Sequence, residues 1–529
     1  MMATEISKAE WVKKTFDSMS LEEKVGHLLC PEDRGKTAKD WVELLDEVPL
    51  GCVFFEDKGV NALHESAQAI QKKSRIPVVV SADMEAGLGC GTMFPHAMGC
   101  AATGDPQWLI EKGRISAREA RALGIHWTFS PVIDLSINHN NPETQYRAFS
   151  DRPAEVARMA KAFIQGLQEN NVLAGTAKHF PGAGMDDRDQ HISTSVNPLP
   201  MPIWRETYGQ VWKAIIDSGV MSIMSGHISL PDYEGLSAMP YAAMPATLNS
   251  RLQVDLLRKE LGFKGVIVSD AAPMIGITSR SSAKDVAVQN ILAGSDVFLF
   301  SDPRTDFKAL LKAVKDGLLS IERINESVIR ILEMKARLGI YENAFGKPVE
   351  EAEAKKHKAT ALALSEKAIT VYRSSEQLTT KLKPGAKILT VTVDNLSKMP
   401  DLEAIDRELI KRGFQVEHLN NPSHNVLLKR AHEFDRVFVN IAIEIHSPIG
   451  MTRLSGQGVM AFWRAFWQES KNAVFTSFGS PYHFYELPHL PNMVMAWGKC
   501  ESAQEAAVKV WLGEISATGV CPVRMPGGL

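Results

Sequence analysis

Cysteines are few, and no two form a CxxC pair. Cys30, Cys52, Cys90, Cys100, Cys500 and Cys521 are scattered over 529 residues. That argues against a disulfide scaffold or a zinc ribbon and for reduced, mostly buried thiols. No apolar run approaches the roughly 20 residues that a membrane-spanning helix needs. The opening MMATEISKAEWVKKTFDSMS lacks the apolar core of a secretory signal. A cytoplasmic protein with no membrane partner is therefore expected. An excess of charge of one sign is lacking too: the formal net charge is -3. A non-specific nucleic-acid binder is usually clearly basic, so no nucleic-acid partner is expected. HExxH, EF-hand, Walker A and GxSxG patterns are absent. GLGCGTMFPHAMG has closely spaced glycines but neither the strand–GxGxxG–helix arrangement nor an acidic ribose partner. No cofactor is expected.

What the chain does have is a globular composition, 45% hydrophobic and 23% charged, over a length that suggests two or three domains. Up to about residue 345, short apolar runs alternate with helical patterns. The runs are GCVFF, PVVVSA, HWTFSPVI, VLAGTA, VMSIMSG, GVIVS and DVFLF; AEVARMAKAFIQGLQEN and DVAVQNILAG lie between them. Near-continuous apolar strands separated by helices read as βα units with a parallel sheet covered on both faces. Their number suits a TIM-like (β/α)8 barrel over residues 1–345. Residues 346–383 read as a helical linker, with one amphipathic helix over 349–371. From 384 to 529 a second alternation reads as a smaller α/β sandwich domain: AKILTVTV, DRVFVNIAIEI, NAVFTSFG and MVMAWG, with LEAIDRELIKRGF as a helix. The fold class is thus α/β throughout.

Polar residues sit directly after the apolar runs: Asp83, Asp134, Lys178 with His179, His227, and Asp270. In a parallel barrel these positions share the rim where such folds hold their active sites. Any one of them can equally be a loop carboxylate or a helix cap. The richest stretch is KHFPGAGMDDRDQHIS, 178–193. Within it, Asp189 lies two residues before His191, where a carboxylate can fix the ring's tautomer and raise its basicity. Gly182 and Gly184 suggest a flexible loop able to swing His191 over a pocket. A metal site from His179, His191 and Asp186, Asp187 and Asp189 fits poorly, since hard cations prefer oxygen ligands. No metal is expected.

At this point the residues resemble glycoside hydrolase family 3, in its β-N-acetylglucosaminidase (β-hexosaminidase) branch. SLEEKVGHLL is similar to the family's N-terminal helix and VSADMEAG to a sugar-binding segment. FSPVIDL with NNPETQYRAFS, KHFPGAGMDDRDQH, and PATLNSRLQVDLLRKELGFKGVIVSDAAPM resemble further family segments in order. SFGSPY…GVCPVRMP resembles the second domain. The resemblance implies that Asp270 is the nucleophile and His191, oriented by Asp189, the general acid/base. Asp83, Asp134, Arg147, Lys178 and His179 would hold the sugar. It implies a retaining exo-β-N-acetylhexosaminidase with a carbohydrate substrate. The alternatives are a β-glucosidase or other β-glycosidase, one using phosphate as acceptor, or a non-catalytic sugar-binding protein on the same fold. Oligomeric state is not legible. Four positions depart from the branch pattern: Leu88 for Arg, Ala183 for His, Gln190 for Ser and Ala271 for a second acid.

Overall fold

A computed structural model describes residues 7–394, 402–443, 445, 453–454, 462, 467 and 470–525. The chain folds as two compact α/β units. The first comprises residues 1–92, 109–135 and 153–351, the second 93–108, 136–152 and 352–529.

The first unit contains β1 (Leu29–Cys30), β2 (Cys52–Phe54), β3 (Val79–Ala82), β4 (Trp127–Thr128), β5 (Thr176–Phe180), β6 (Ser195–Val196), β7 (Ser222–Ser225), β8 (Ile228–Ser229), β9 (Val266–Ser269) and β10 (Phe298–Leu299). Parallel ladders join β2 to β3, β3 to β4, β5 to β7, β7 to β9 and β10 to β1. Single parallel bridges, Glu32–Phe54, Trp127–Ala174 and Val268–Val297, connect these ladders. The pairing therefore runs in series from β1 through β10 and returns to β1. Strands β6 and β8 form a separate parallel pair. Every residue of β2, β3, β5, β7 and β9 is buried, which is why their sequences read as continuous apolar runs. One cluster gathers Phe54, Val79, Trp127, Phe129, Met224, Val268 and Leu299 from successive strands. Phe129 stacks on Phe54 at 5.8 Å and meets Trp127 edge-on at 4.9 Å.

Asp296, fully buried before β10, ties this unit together. Its carboxylate accepts from Ile267 N at 2.9 Å, Arg258 at 2.6 Å, Ser327 at 2.7 Å and Arg330 at 2.9 Å. Burial works to raise its pKa, but Arg258, Arg323 and Arg330 outweigh burial and hold it below the usual carboxylate range. Strand β9, the helical segment Arg251–Glu260 and the helix Ile321–Arg337 all meet there.

In the second unit β11 (Thr370–Arg373), β12 (Lys387–Val393), β13 (Gln415–Asn420), β14 (Arg436–Ile441), β15 (Ala473–Ser477) and β16 (Met493–Met495) form one sheet. Its order is β11-β16-β15-β14-β12-β13. All neighbours are parallel except β11 with β16. Trp511 of the helix Glu501–Trp511 stacks on Phe438 at 4.3 Å and donates to Thr476 at 3.0 Å. The expected amphipathic helix spans Glu351–Ala368, and it and β11 pack within this unit. So do two early segments: His96 N donates to the Trp497 carbonyl at 2.9 Å, and Ser136 Oγ lies 2.9 Å from Tyr482 OH.

At the sheet edge His418 Nδ1 donates to Asp406 at 2.7 Å, joining β13 to the helix Glu403–Lys411. Burial works to lower the His418 pKa, but the bond and charge of Asp406 outweigh it and leave the pKa raised.

Two outcomes follow from these buried charges. Replacing Asp296 with Ala leaves Arg258 and Arg323 without their buried carboxylate and Arg330 with Glu326 alone, and should cost about 3–5 kcal/mol in denaturant unfolding. Because the folded pKa of His418 is raised, its stabilisation is fully present below the unfolded pKa of roughly 6.5 and lost as pH rises through the folded value. Melting curves across that window should show the loss in the wild type and flatten in His418→Gln.

Candidate active site

The residues singled out after the apolar runs lie at the C-terminal ends of parallel strands in the first unit. Asp83 follows β3 directly and Asp270 follows β9. Lys178 and His179 fall within β5, where the register against β7 slips: Ala177 faces Ile223, yet Phe180 faces Ser225. Three steps on one strand match two on the other, a bulge that re-aims side chains beside a site. The Lys178–His179 and Phe180–Pro181 peptides are cis. The buried Lys178 ammonium lies 3.2 Å from Asp83 and 2.8 Å from Glu85. Two carboxylates thus offset the cost of burying one ammonium.

Asp134 is buried beneath His179. One of its oxygens accepts from the ring Nδ1 at 2.7 Å; the other accepts from His179 N at 3.3 Å and Ala183 N at 2.7 Å. The pairing sets the tautomer of His179 and fixes the start of the following loop. That loop, whose glycines suggest mobility, is hydrogen-bonded along its length. Gly182 and Gly184 take φ of 126° and 102°, a region costly for residues with a Cβ. Trp204 and Trp212 each donate to the Pro181 carbonyl at 3.1 Å, and Tyr208 OH donates to the Ala183 carbonyl at 2.7 Å. Further on, Asp186 accepts from Val196 N at 2.7 Å. Asp189 Oδ1 accepts from His191 N at 2.8 Å and from its ring Nδ1 at 2.6 Å. The acid and the imidazole therefore act as one unit.

Asp270 is buried, with one oxygen accepting from Ala271 N at 2.8 Å. The other oxygen, Oδ2, is buried and has no hydrogen-bond partner among the described residues. Burial works to raise its pKa, but His179, His227, the Ala271 N–H and His191 outweigh burial and hold the carboxyl below the usual range. Charge and an unengaged lone pair are what a nucleophilic carboxylate requires. Beside it, His227 is fully buried, bonded through Nδ1 to Thr247 at 2.9 Å and through Nε2 to the Ala271 carbonyl at 3.0 Å. Burial, the largest cause, lowers the pKa of His227. Nε2 donates to the Ala271 carbonyl, and Nδ1 meets the Thr247 hydroxyl.

Asp83, Asp134, Lys178, His179, Asp189, His191 and Asp270 thus all belong to the first unit. Arg147 belongs to the second, in the turn Gln145–Arg147, where it donates to the Glu143 carbonyl at 3.2 Å. From the sequence, Glu85 and Thr247 are not among the candidate site residues, and His227 is placed on the rim without a role. Glu85 lies two residues after Asp83, as it would on the same side of an extended segment, and His227 follows its strand like the others. Thr247 comes from the short turn Ala246–Leu248 and carries no local signal. The four departures have defined places. Leu88 is buried. Ala183 and Ala271 contribute backbone atoms to the network, and the buried Gln190 side chain accepts from His227 N at 2.9 Å.

Residues 20–334 match the family model described as "Glycosyl hydrolase family 3 N terminal domain". A Cellulomonas fimi protein named beta-N-acetylglucosaminidase/beta-glucosidase is 29% identical over 97% of this chain and 95% of its own. Beta-hexosaminidase A of Pseudoalteromonas piscicida is 25% identical over 88% of this chain and 86% of its own. Among solved structures, the beta-glucoside phosphorylase BglX bound to 2FGlc is 30% identical with a TM-score of 0.89, covering 100% of this chain and 98% of its own. A family 3 beta-N-acetylglucosaminidase from Paenibacillus sp. str. FPU-7 is 26% identical with a TM-score of 0.84, covering 96% and 99%. With the family model spanning more than half of its length, the chain belongs to glycosyl hydrolase family 3 and is a glycoside hydrolase.

Proposed function

We propose that the chain is a retaining exo-β-N-acetylhexosaminidase that removes terminal β-linked N-acetylglucosamine-type sugars. Asp270 is the nucleophile, and His191, oriented by Asp189, is the acid/base. The observation that carries the reading is the pairing of an ionised, half-satisfied Asp270 with an Asp189–His191 unit in the same α/β unit. We read the series of parallel strands in that unit as the (β/α)8 barrel, whose active sites lie at strand C-terminal ends.

In the first step the Asp270 carboxylate attacks the anomeric carbon. The glycosidic C–O bond breaks, and protonated His191 gives its proton to the departing oxygen. With Nδ1 committed to Asp189, Nε2 is the nitrogen that transfers it. In the second step neutral His191 takes a proton from water as the water attacks the same carbon and releases Asp270. Lys178 and His179, each held by a carboxylate, donate to sugar hydroxyls, with Asp83 accepting from them. Asp134 acts through His179, and Arg147 is assigned to the sugar by family position.

One specific observation favours a second reading, in which phosphate replaces water. An imidazole base is uncharged where a carboxylate base would repel an incoming anion, and BglX, which aligns over the whole chain, is a phosphorylase of β-glucosides.

Nitrophenyl β-glycosides with and without a 2-acetamido group, assayed in phosphate and in a non-phosphate buffer, test both readings. The 2-acetamido substrate should turn over faster and give free sugar in either buffer. Preference for the glucoside would reject the hexosaminidase assignment, and sugar-1-phosphate formed only in phosphate would establish the second reading. In His191→Ala, glycosides with alkyl leaving groups should lose about 10²–10⁴-fold in turnover. Activated leaving groups, which need no proton, should lose far less in the glycosylation step. Equal losses on both, measured by pre-steady-state release, would remove His191 from the acid role.

A further inference from the structure

Gln190 lies between the two members of the acid/base pair and stands where the family branch carries serine. Its side chain does not point to solvent. It is 2% exposed, and its Oε1 accepts from the backbone N of His227 at 2.9 Å. Its carbonyl accepts from Gly276 N at 3.0 Å, and the next carbonyl, that of His191, accepts from Ile275 N at 3.0 Å. The Asp189–His191 segment is therefore bonded to two separate elements: His227, two residues past β7, and the turn that follows Asp270. His227 is itself bonded to the Ala271 carbonyl, and Ala271 N holds the Asp270 carboxylate. A path of alternating hydrogen bonds and covalent segments, through His227 and Ala271, thus links the Gln190 side chain to the proposed nucleophile. The fit is close: a Cβ at Gly276 would come 2.5 Å from the Gln190 carbonyl oxygen and 2.8 Å from His227 Cβ.

We infer that Gln190 is a positioning residue, a tether whose amide holds the acid/base loop in register with the nucleophile; the inference rests on the roles proposed for Asp270 and His191. A serine hydroxyl is shorter by two carbon–carbon bonds and would not span the same distance from the same backbone position. This chain therefore fixes its catalytic loop with a bond that the branch's usual residue cannot reproduce. Backbone bonds to Ile275 and Gly276 alone leave His227 N without its buried acceptor, and a buried donor without a partner favours any rearrangement that brings it one. Small displacements of a proton donor matter, since an error of about 1 Å can cost about 10²-fold in rate.

The test compares Gln190→Met, which preserves length and loses the acceptor, with Gln190→Glu, which preserves both. Gln190→Met should lower turnover of alkyl β-glycosides by about 10- to 100-fold with KM little changed. Glycosylation by activated nitrophenyl substrates should stay within about twofold, since these need little help from the acid. Hydrogen exchange of the peptide containing residues 186–193 should quicken, while exchange elsewhere in the folded protein stays as in the wild type. Gln190→Glu should restore alkyl-glycoside turnover. Equal losses on both leaving groups, no loss on either, or an unchanged exchange rate in the 186–193 peptide would overturn the tether. If Gln190→Met does not fold, Gln190→Ser with the same readouts decides the matter. His191→Ala is run alongside: if it too shows no leaving-group dependence, the acid assignment has failed rather than the tether.

Discussion

Burial alone would raise the pKa of Asp270 and favour its neutral form, which in the proposed mechanism could neither attack an anomeric carbon nor attract positive charge developing on one. The site is organised around preventing this. Three imidazoles lie within electrostatic reach and one peptide N–H is bonded to the carboxylate, which together overcome desolvation. The same arrangement leaves Oδ2 without a donor among the described residues, so the carboxylate is charged yet incompletely hydrogen-bonded there. A fully satisfied carboxylate would be more stable and less reactive. Asp296 shows the contrast within the same unit: more donors, three guanidinium groups, and a purely structural position.

The other charged groups follow the same rule of local compensation. Lys178 is matched by Asp83 and Glu85, His179 by Asp134, and His191 by Asp189. In the proposed mechanism one member of each pair meets a sugar hydroxyl or the glycosidic oxygen and the other fixes its orientation. Preorganisation of this kind avoids reorganisation of dipoles as charge moves.

Much of the fold was legible because parallel strands buried on both faces leave continuous apolar runs. Six such runs in the first unit contain β2, β3, β4, β7, β9 and β10, and the seventh, VLAGTA, ends two residues into β5. Strand β1 was not, since two residues of LC within a helical context have no period to read. Strand β13 was missed for another reason: QVEHLN lies at the sheet edge, half-exposed, and alternates too weakly. That segments 93–108 and 136–152 pack with the second unit depends on partners hundreds of residues away, such as Trp497 and Tyr482. At the site, side chains at strand ends announced themselves. Thr247 and the acceptor role of Gln190 did not, because both are defined by three-dimensional neighbours. The glycines of the 178–193 stretch suggested motion, whereas their positive φ values serve a loop bonded at many points.

Ala183 and Ala271 deliver the polar atoms they contribute from the peptide backbone. Such atoms are encoded by the path of the chain rather than by the identity of the residue. Mutational drift can therefore erase a recognisable signature at these two positions while the electrostatic framework persists. Comparisons that score side-chain identity alone will overstate how far this protein has diverged from its relatives.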